Sequence, residues 1–340
     1  MDRRQLLTLA AVGPATAATA PFIGRGSSST AAASSREVMP GESIQAALDA
    51  GPGHVICAPG THTLSSPIVL RSHRWLSGAF GATTLRPGSA MSALLVVGNA
   101  GPVDRWKISD LTIDATGAAT GIDINIIGTA GNTHGEPDSQ GRIEDVFISD
   151  PSQQGIWYRG TDAQAIITRG VRVRRAGIYA YRIENADSWW SNCEGTTTTS
   201  QGAGFYVTGS NLHFDHCGAW YCRGYGWHIR GVRNTFTGCA AQDTGGHGWR
   251  VAYEQNTLAA CIADTASMYD VGGTPSGADG FYIDPATNIT LTGCLAYDRR
   301  PNGHASQQRY GFSAPRAMFD AGLLLGCTGW DNAAGLYNKR

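Results

Sequence analysis

The chain has 340 residues, 42% of them hydrophobic and 16% charged, with a formal net charge of −1. That balance describes a globular core and excludes bulk attraction to nucleic acid or to an anionic membrane. The 45 glycines suit many tight turns between short strands. Lys107 and Lys339 are the only lysines, so the positive charge is almost all arginine, the side chain fitted to bidentate grip on carboxylates.

In chain order, residues 1–36 read as a segment outside the fold. Asp2-Arg-Arg-Gln-Leu-Leu, the apolar stretch from Leu6 to Val12 and the small-residue run Ala15 to Ala20 have the make-up of a twin-arginine-type signal peptide. Its apolar part is too short for a membrane anchor. Cleavage is expected after Ala17, since a cut after Ala20 would leave Pro21 next, and Ser27 to Ser35 reads as a flexible linker. Residues 37–340 are then expected to form one domain, secreted or periplasmic, with no membrane contact after signal cleavage.

The segment from Glu42 to Gly51 carries helix signals: Ser43 as cap, Ile44, Ala47 and Leu48 on one face, and Gly51 as stop. It suits a lid on the open end of a solenoid, whose first rung otherwise exposes its apolar interior. Alternating strands follow, at His54-Val-Ile-Cys, Ile68-Val-Leu, Trp75-Leu, Thr84-Leu-Arg and Leu94-Leu-Val-Val, broken at Pro and Gly. Ser43-Ile-Gln-Ala-Ala-Leu-Asp, Pro59-Gly-Thr-His-Thr-Leu and Leu76-Ser-Gly-Ala-Phe-Gly-Ala-Thr-Thr-Leu together resemble the N-terminal part of the pectate lyase superfamily. The resemblance implies an all-β, right-handed parallel β-helix. It leaves the reaction open, because that fold hosts lyases, hydrolases, epimerases and non-catalytic viral and surface proteins.

Repetition carries the rest of the chain. Gly204-Phe-Tyr-Val, Gly226-Trp-His-Ile and Gly248-Trp-Arg-Val start 22 residues apart, and Asn-led segments ending at Cys217, Cys239 and Cys261 form a second register of the same period. A rung this small cannot bury its own apolar side, so copies must stack. The Gly register extends to Gly121, Gly155, Gly177, Gly280, Gly311 and Gly335, which gives around eight rungs. Inserted loops are expected at Gly128 to Gly141, Asp264 to Asp279 and Asp298 to Tyr310, two of them in the same turn just before a Gly strand and so rising as walls on one edge of the same face. Cys193, Cys217, Cys239, Cys261, Cys294 and Cys327 share the second register, which predicts a buried thiol ladder rather than disulfides. Cys57 and Cys222 lie off it, and their state is open.

In each Gly strand the side chains alternate in and out. Ile156, Ile178, Phe205, Trp227, Trp249 and Phe281 then point inward. One outward column reads Asp123, Trp157, Tyr179, Tyr206, His228, Arg250, Tyr282, Ser313; a second reads Asn125, Arg159, Tyr181, Thr208, Arg230, Ala252, Asp284. A solvated face without a task is rich in Thr, Ser, Lys and Asn. This one has rings to stack on sugars and arginines to hold acid groups, as a groove for an acidic polysaccharide would. The plain alternative is a sheet face stabilised by its own cross-strand aromatic pairs.

His228, Arg250, Tyr206 and Asp284 are the candidate catalytic residues. Arg230, Tyr282, Tyr179, Tyr181, Trp157, Arg159 and His247 are the candidate substrate contacts. Arg250 or Arg230 would neutralise a uronate carboxylate while His228 or Tyr206 takes the neighbouring proton and a Tyr protonates the leaving oxygen. That is β-elimination, the reaction of a polysaccharide lyase. Hydrolysis needs two carboxyl groups about 5 to 9.5 Å apart. Asp284 has no evident partner unless Asp243, Asp264, Asp270 or Asp279 supplies one, which keeps a glycoside hydrolase as the second enzymatic reading. A non-catalytic glycan-binding or structural module is the third. No cofactor is expected, and calcium is left open only through loop carboxylates: the acid cluster of the calcium-dependent lyases that the resemblance brings in has no match, and His213-Phe-Asp215-His216 has metal-ligand residue types with His216 on the wrong side of the strand. Trimerisation, known in such folds, has no support in the sequence.

Overall fold

The computed structural model describes residues 35–51, 53–128, 140–161, 163–268, 277–284, 288–299 and 308–340. Residues 1–34, most of the three inserted loops and Asp270 lie outside the described residues. Three parallel sheets wind around one core: a 12-stranded sheet from Ser35–Val38 to Leu324–Leu325, a 10-stranded sheet from Gly60–Leu64 to Leu295–Tyr297, and an 11-stranded sheet from Ile68–Leu70 to Gly335–Lys339. They are called the first, second and third sheets, in the order in which each coil visits them. The architecture is the right-handed parallel β-helix, with more coils than the Gly register alone indicates, because the N-terminal strands add rungs that lack that glycine. Ser35 and Arg36 already pair with His54 and Val55, so the coil begins just inside the segment expected to be linker.

The helix Ile44–Asp49 is capped by Ser43, whose side chain accepts from the Ala46 N–H at 3.1 Å, and it buries Ile44, Ala47 and Leu48 against the first coil. At the far end the helix Arg316–Asp320 buries Met318, with Phe319 and Leu336 packed on the core. No helix among the described residues is long and apolar enough to cross a membrane.

Rings fill the interior. On the third sheet Tyr181, Phe205, Trp227, Trp249, Phe281 and Phe312 stack at centroid spacings of 4.5, 4.0, 4.8, 5.7 and 4.9 Å. Trp190, Phe214 and Phe236 stack on the first sheet, where Phe214 and Phe236 meet the third-sheet stack edge-on and Trp190 meets Tyr158. The Trp227 and Trp249 indole N–H groups donate to the Ala240 and Ile262 carbonyls, so these buried donors are satisfied. All eight cysteines are free and buried, the six of the repeat lying in one register, as the spacing predicts; Cys57 and Cys222 are free and buried too. Asn234 and Asn256 form an internal amide ladder, each side-chain oxygen accepting a backbone N–H of the rung before it.

The register departs from expectation at one rung. Tyr181 pairs with Phe205 and Arg182 with Tyr206, so Ala180, not Gly177, is the counterpart of Gly204. The cause is an exchange of sizes between sheets. A Cβ added to Gly204, Gly226 or Gly248 would lie 2.7, 2.7 and 3.1 Å from the Cβ of Ala219, Ala241 and Ala263. In the odd rung the alanine is Ala180 and the glycine is Gly195, whose added Cβ would lie 2.6 Å from Ala180. A shift by an odd number of residues turns every side chain over. Tyr181 is therefore buried, its hydroxyl donating to the Val171 carbonyl at 2.7 Å, and it is no substrate contact. Ile178 is only half-buried and lies outside the aromatic stack. Ser313 keeps its column but is covered and accepts from the Asn338 amide at 3.2 Å.

Candidate functional site

The outward column of the third sheet runs Asp123, Trp157, Arg182, Tyr206, His228, Arg250, Tyr282, Ser313. Tyr206, His228 and Arg250 stand on successive rungs, as the spacing predicts. Asp284 joins them: its carboxylate accepts from Arg250 Nε at 3.3 Å. The spacing did not reveal Tyr225, whose hydroxyl accepts from the other arm of Arg250 at 3.2 Å and whose ring lies 5.0 Å from that of His228. Its signal lies in its position just before a repeat Gly, which it shares with His247.

His228 sits between the Tyr206 ring, edge-on at 5.3 Å, and the Tyr225 ring. Burial, then the Arg250 and Arg230 guanidiniums, push its imidazole down to about 4. It is neutral at neutral pH and has a lone pair to offer. Arg230 is exposed and touches the groove through the Tyr206 hydroxyl at 3.5 Å. Arg250 is tied at both ends, so it presents a fixed charge.

His247 belongs to the groove wall. Its ring lies between Tyr225 at 5.9 Å and Tyr282 at 4.4 Å, and the Asp279 N–H donates to its Nδ1 at 2.9 Å. Burial drives its imidazole down to about 4 against the pull of Asp279. Beyond it, Tyr282 is held by Arg340, which lies over the ring at 4.2 Å and donates to the hydroxyl at 2.6 Å.

Two expected contacts are already engaged elsewhere. Arg159 makes a bidentate pair with Asp123 at 2.9 and 2.7 Å, and Trp157 is clasped between Arg159 and Arg182 at 3.9 and 4.3 Å. Arg182 in turn binds Glu184, which takes the place predicted for Tyr181 in the second column. Tyr179 stays half-exposed and stacks on Tyr206 at 4.7 Å; burial and that neighbour raise its phenol, which suits a platform and not a base. The described loop acids do not face Asp284 as free carboxylates. Asp279 is buried on Arg309 in a bidentate pair at 2.9 Å, and Asp243 and Asp264 share Arg299 at 3.1 and 2.7 Å.

A family model described as right handed beta helix region matches residues 135–312, and the chain belongs to that family. No curated protein matches the sequence. Among solved structures, the chain is similar to the A-module of mannuronan C-5 epimerase AlgE4 from Azotobacter vinelandii, with 14% identity, 87% of this chain and 92% of that chain covered, and a TM-score of 0.61. It is also similar to a polygalacturonase from Erwinia carotovora, with 10% identity, coverage of 90% and 94%, and a TM-score of 0.58. The catalytic domain of a GH87 α-1,3-glucanase is another, with 12% identity, coverage of 88% and 65%, and a TM-score of 0.54. Identities this low speak for the fold alone.

Proposed function

We propose that the protein is an exported polysaccharide lyase that cleaves a uronate-containing chain by β-elimination in the groove on the third sheet. The observation that carries this reading is His228, a neutral imidazole flanked by two guanidiniums on a face lined with rings. Arg230 and Arg250 receive the uronate carboxylate and favour the enolate that forms when the adjacent C–H loses its proton. His228 takes that proton, and Tyr206 or Tyr225 returns one to the departing glycosidic oxygen as the C–O bond breaks. Asp284 is a positioning residue, fixing Arg250. Tyr282 and Tyr179 offer stacking surfaces to neighbouring sugars. The structural neighbours, an epimerase, a glucanase and a polygalacturonase, process polysaccharides, which agrees with this substrate class, and the twin-arginine-type segment agrees with export.

Hydrolysis is the weaker reading, because every acid expected to partner Asp284 within the described residues is already paired with an arginine, Asp279 with Arg309 and Asp243 and Asp264 with Arg299. The test is incubation with a panel of uronate polymers, following both the ultraviolet absorbance of an unsaturated uronate and new reducing ends. Elimination raises both together. Reducing ends without absorbance would mean hydrolysis, and neither signal would leave a binding module.

A further inference from the structure

The outward face of the first sheet changes character along its length. In its C-terminal half the columns read Thr235, Thr257, Thr290 and Thr237, Ala259, Thr292, the make-up of a solvated face without a task. In its N-terminal half the same column reads His54, Trp75, Lys107, Arg142, Ile167, Trp189, His213. That half encloses a notch of about 490 Å³ with Gly141, Ala165 and Ile167 among its lining residues.

The two ends of the notch are rigid. Trp75 stacks on His54 at 3.7 Å and donates from its indole to Ser109 at 3.1 Å. Trp189 stacks on His213 at 5.8 Å and remains 45% exposed. Four strand spacings separate them, roughly 19 Å. Arg74, Arg105, Lys107 and Arg142 line the space, and Arg169 stands beside it. Among the described residues the acids paired with these cations are Glu144, within reach of Lys107, Arg169 and Arg142 at 2.6, 3.4 and 3.9 Å, and Asp104, on Arg105 at 3.4 Å. The described lining of the notch therefore carries more cations than acids. Trp106, also lining the notch, has a buried indole N–H with no partner among the described residues.

We infer that this notch is a second binding site, apart from the groove and on another sheet, for a short stretch of an anionic polysaccharide. A sugar ring rests on the exposed part of Trp189, and its acid groups meet Arg142. The site would hold a polymer on the protein while the groove works on another part of it. The inference rests on the acidic-polysaccharide reading of the groove, and its test separates the two.

The full chain is assayed for binding to polygalacturonate and polymannuronate, with dextran as the neutral control. Three forms are compared with wild type: a groove variant (Arg230→Ala with Arg250→Ala), a notch variant (Arg142→Ala with Trp189→Ala), and the combination. Arg142 and Trp189 are exposed, and melting temperature verifies that each variant folds. The groove variant is expected to retain polyuronate binding, and adding the notch changes is expected to raise Kd about tenfold or more. Notch-dependent binding without cleavage of any uronate polymer would remove the lyase reading and leave this site standing. Cleavage and binding unchanged in the notch variant, or no polyuronate binding by any form, would overturn the site.

Discussion

The Asp279 backbone N–H donates to Nδ1 of His247 at 2.9 Å, which makes that nitrogen an acceptor and puts the ring proton on Nε2. His247 thus offers the groove a donor and leaves the role of base to His228. Long-range proton–nitrogen spectra are expected to show His247 as a single neutral tautomer, protonated on Nε2, from pH 8 down to about 5. A doubly protonated ring in that range would break the assignment.

The two histidines also set a pH dependence of stability. Both have folded values lowered from 6.5 to about 4. Above 6.5 neither state holds the extra proton; between about 6.5 and 4 the unfolded chain binds protons that the folded chain refuses. Stability is therefore present in full above 6.5 and lost as pH falls through this window. Denaturant titrations at pH 7, 6 and 5 should show the decline, and replacing both residues with Gln should flatten it. By the same shift, the acid limb of kcat/KM is expected near pH 4 and not near the ordinary histidine value.

Arg250 bridges Tyr225 and Asp284, and its planar fork makes both contacts at once. Arg250→Lys keeps the charge and loses the geometry. It is expected to lower kcat by about a hundredfold, the cost of misplacing one charge-stabilising donor. Asp284→Asn should cost less and shift KM along with kcat, since it acts only through the arginine.

The Gly and Ala exchange between Ala180 and Gly195 makes a reciprocal test of packing. Gly195→Ala puts two Cβ atoms about 2.6 Å apart and should destabilise the coil, by about 1–3 kcal/mol. Adding Ala180→Gly restores the arrangement of the neighbouring rungs and should return most of the loss, measured as a coupling in a double-mutant cycle.

That exchange also marks where the sequence stops being readable. A period of 22 residues is enough to align Gly204, Gly226 and Gly248, and with them Tyr206, His228 and Arg250, because translation along the coil preserves side-chain direction. The inward rings and the cysteine register follow by the same logic. At Gly177 the logic fails: a glycine stands nearby for another reason, as a Cβ there would lie 1.9 Å from the Ser152 carbonyl. Local pattern cannot tell a turn glycine from an interlocking one, so it points Tyr181 outward and passes over Arg182 and Glu184. Arg340 is a different case. It reaches Tyr282 across 58 residues of chain, and nothing near either residue announces the contact.

The account turns on the third-sheet groove being where the sugar chain is processed. Crystals of His228→Ala soaked with a uronate oligosaccharide test this directly. The predicted result is an oligosaccharide lying across Tyr206, position 228 and Arg250, one carboxylate on Arg250 or Arg230 and a sugar ring against Tyr282 or Tyr179. An empty groove in crystals that hold the oligosaccharide on another face would contradict it.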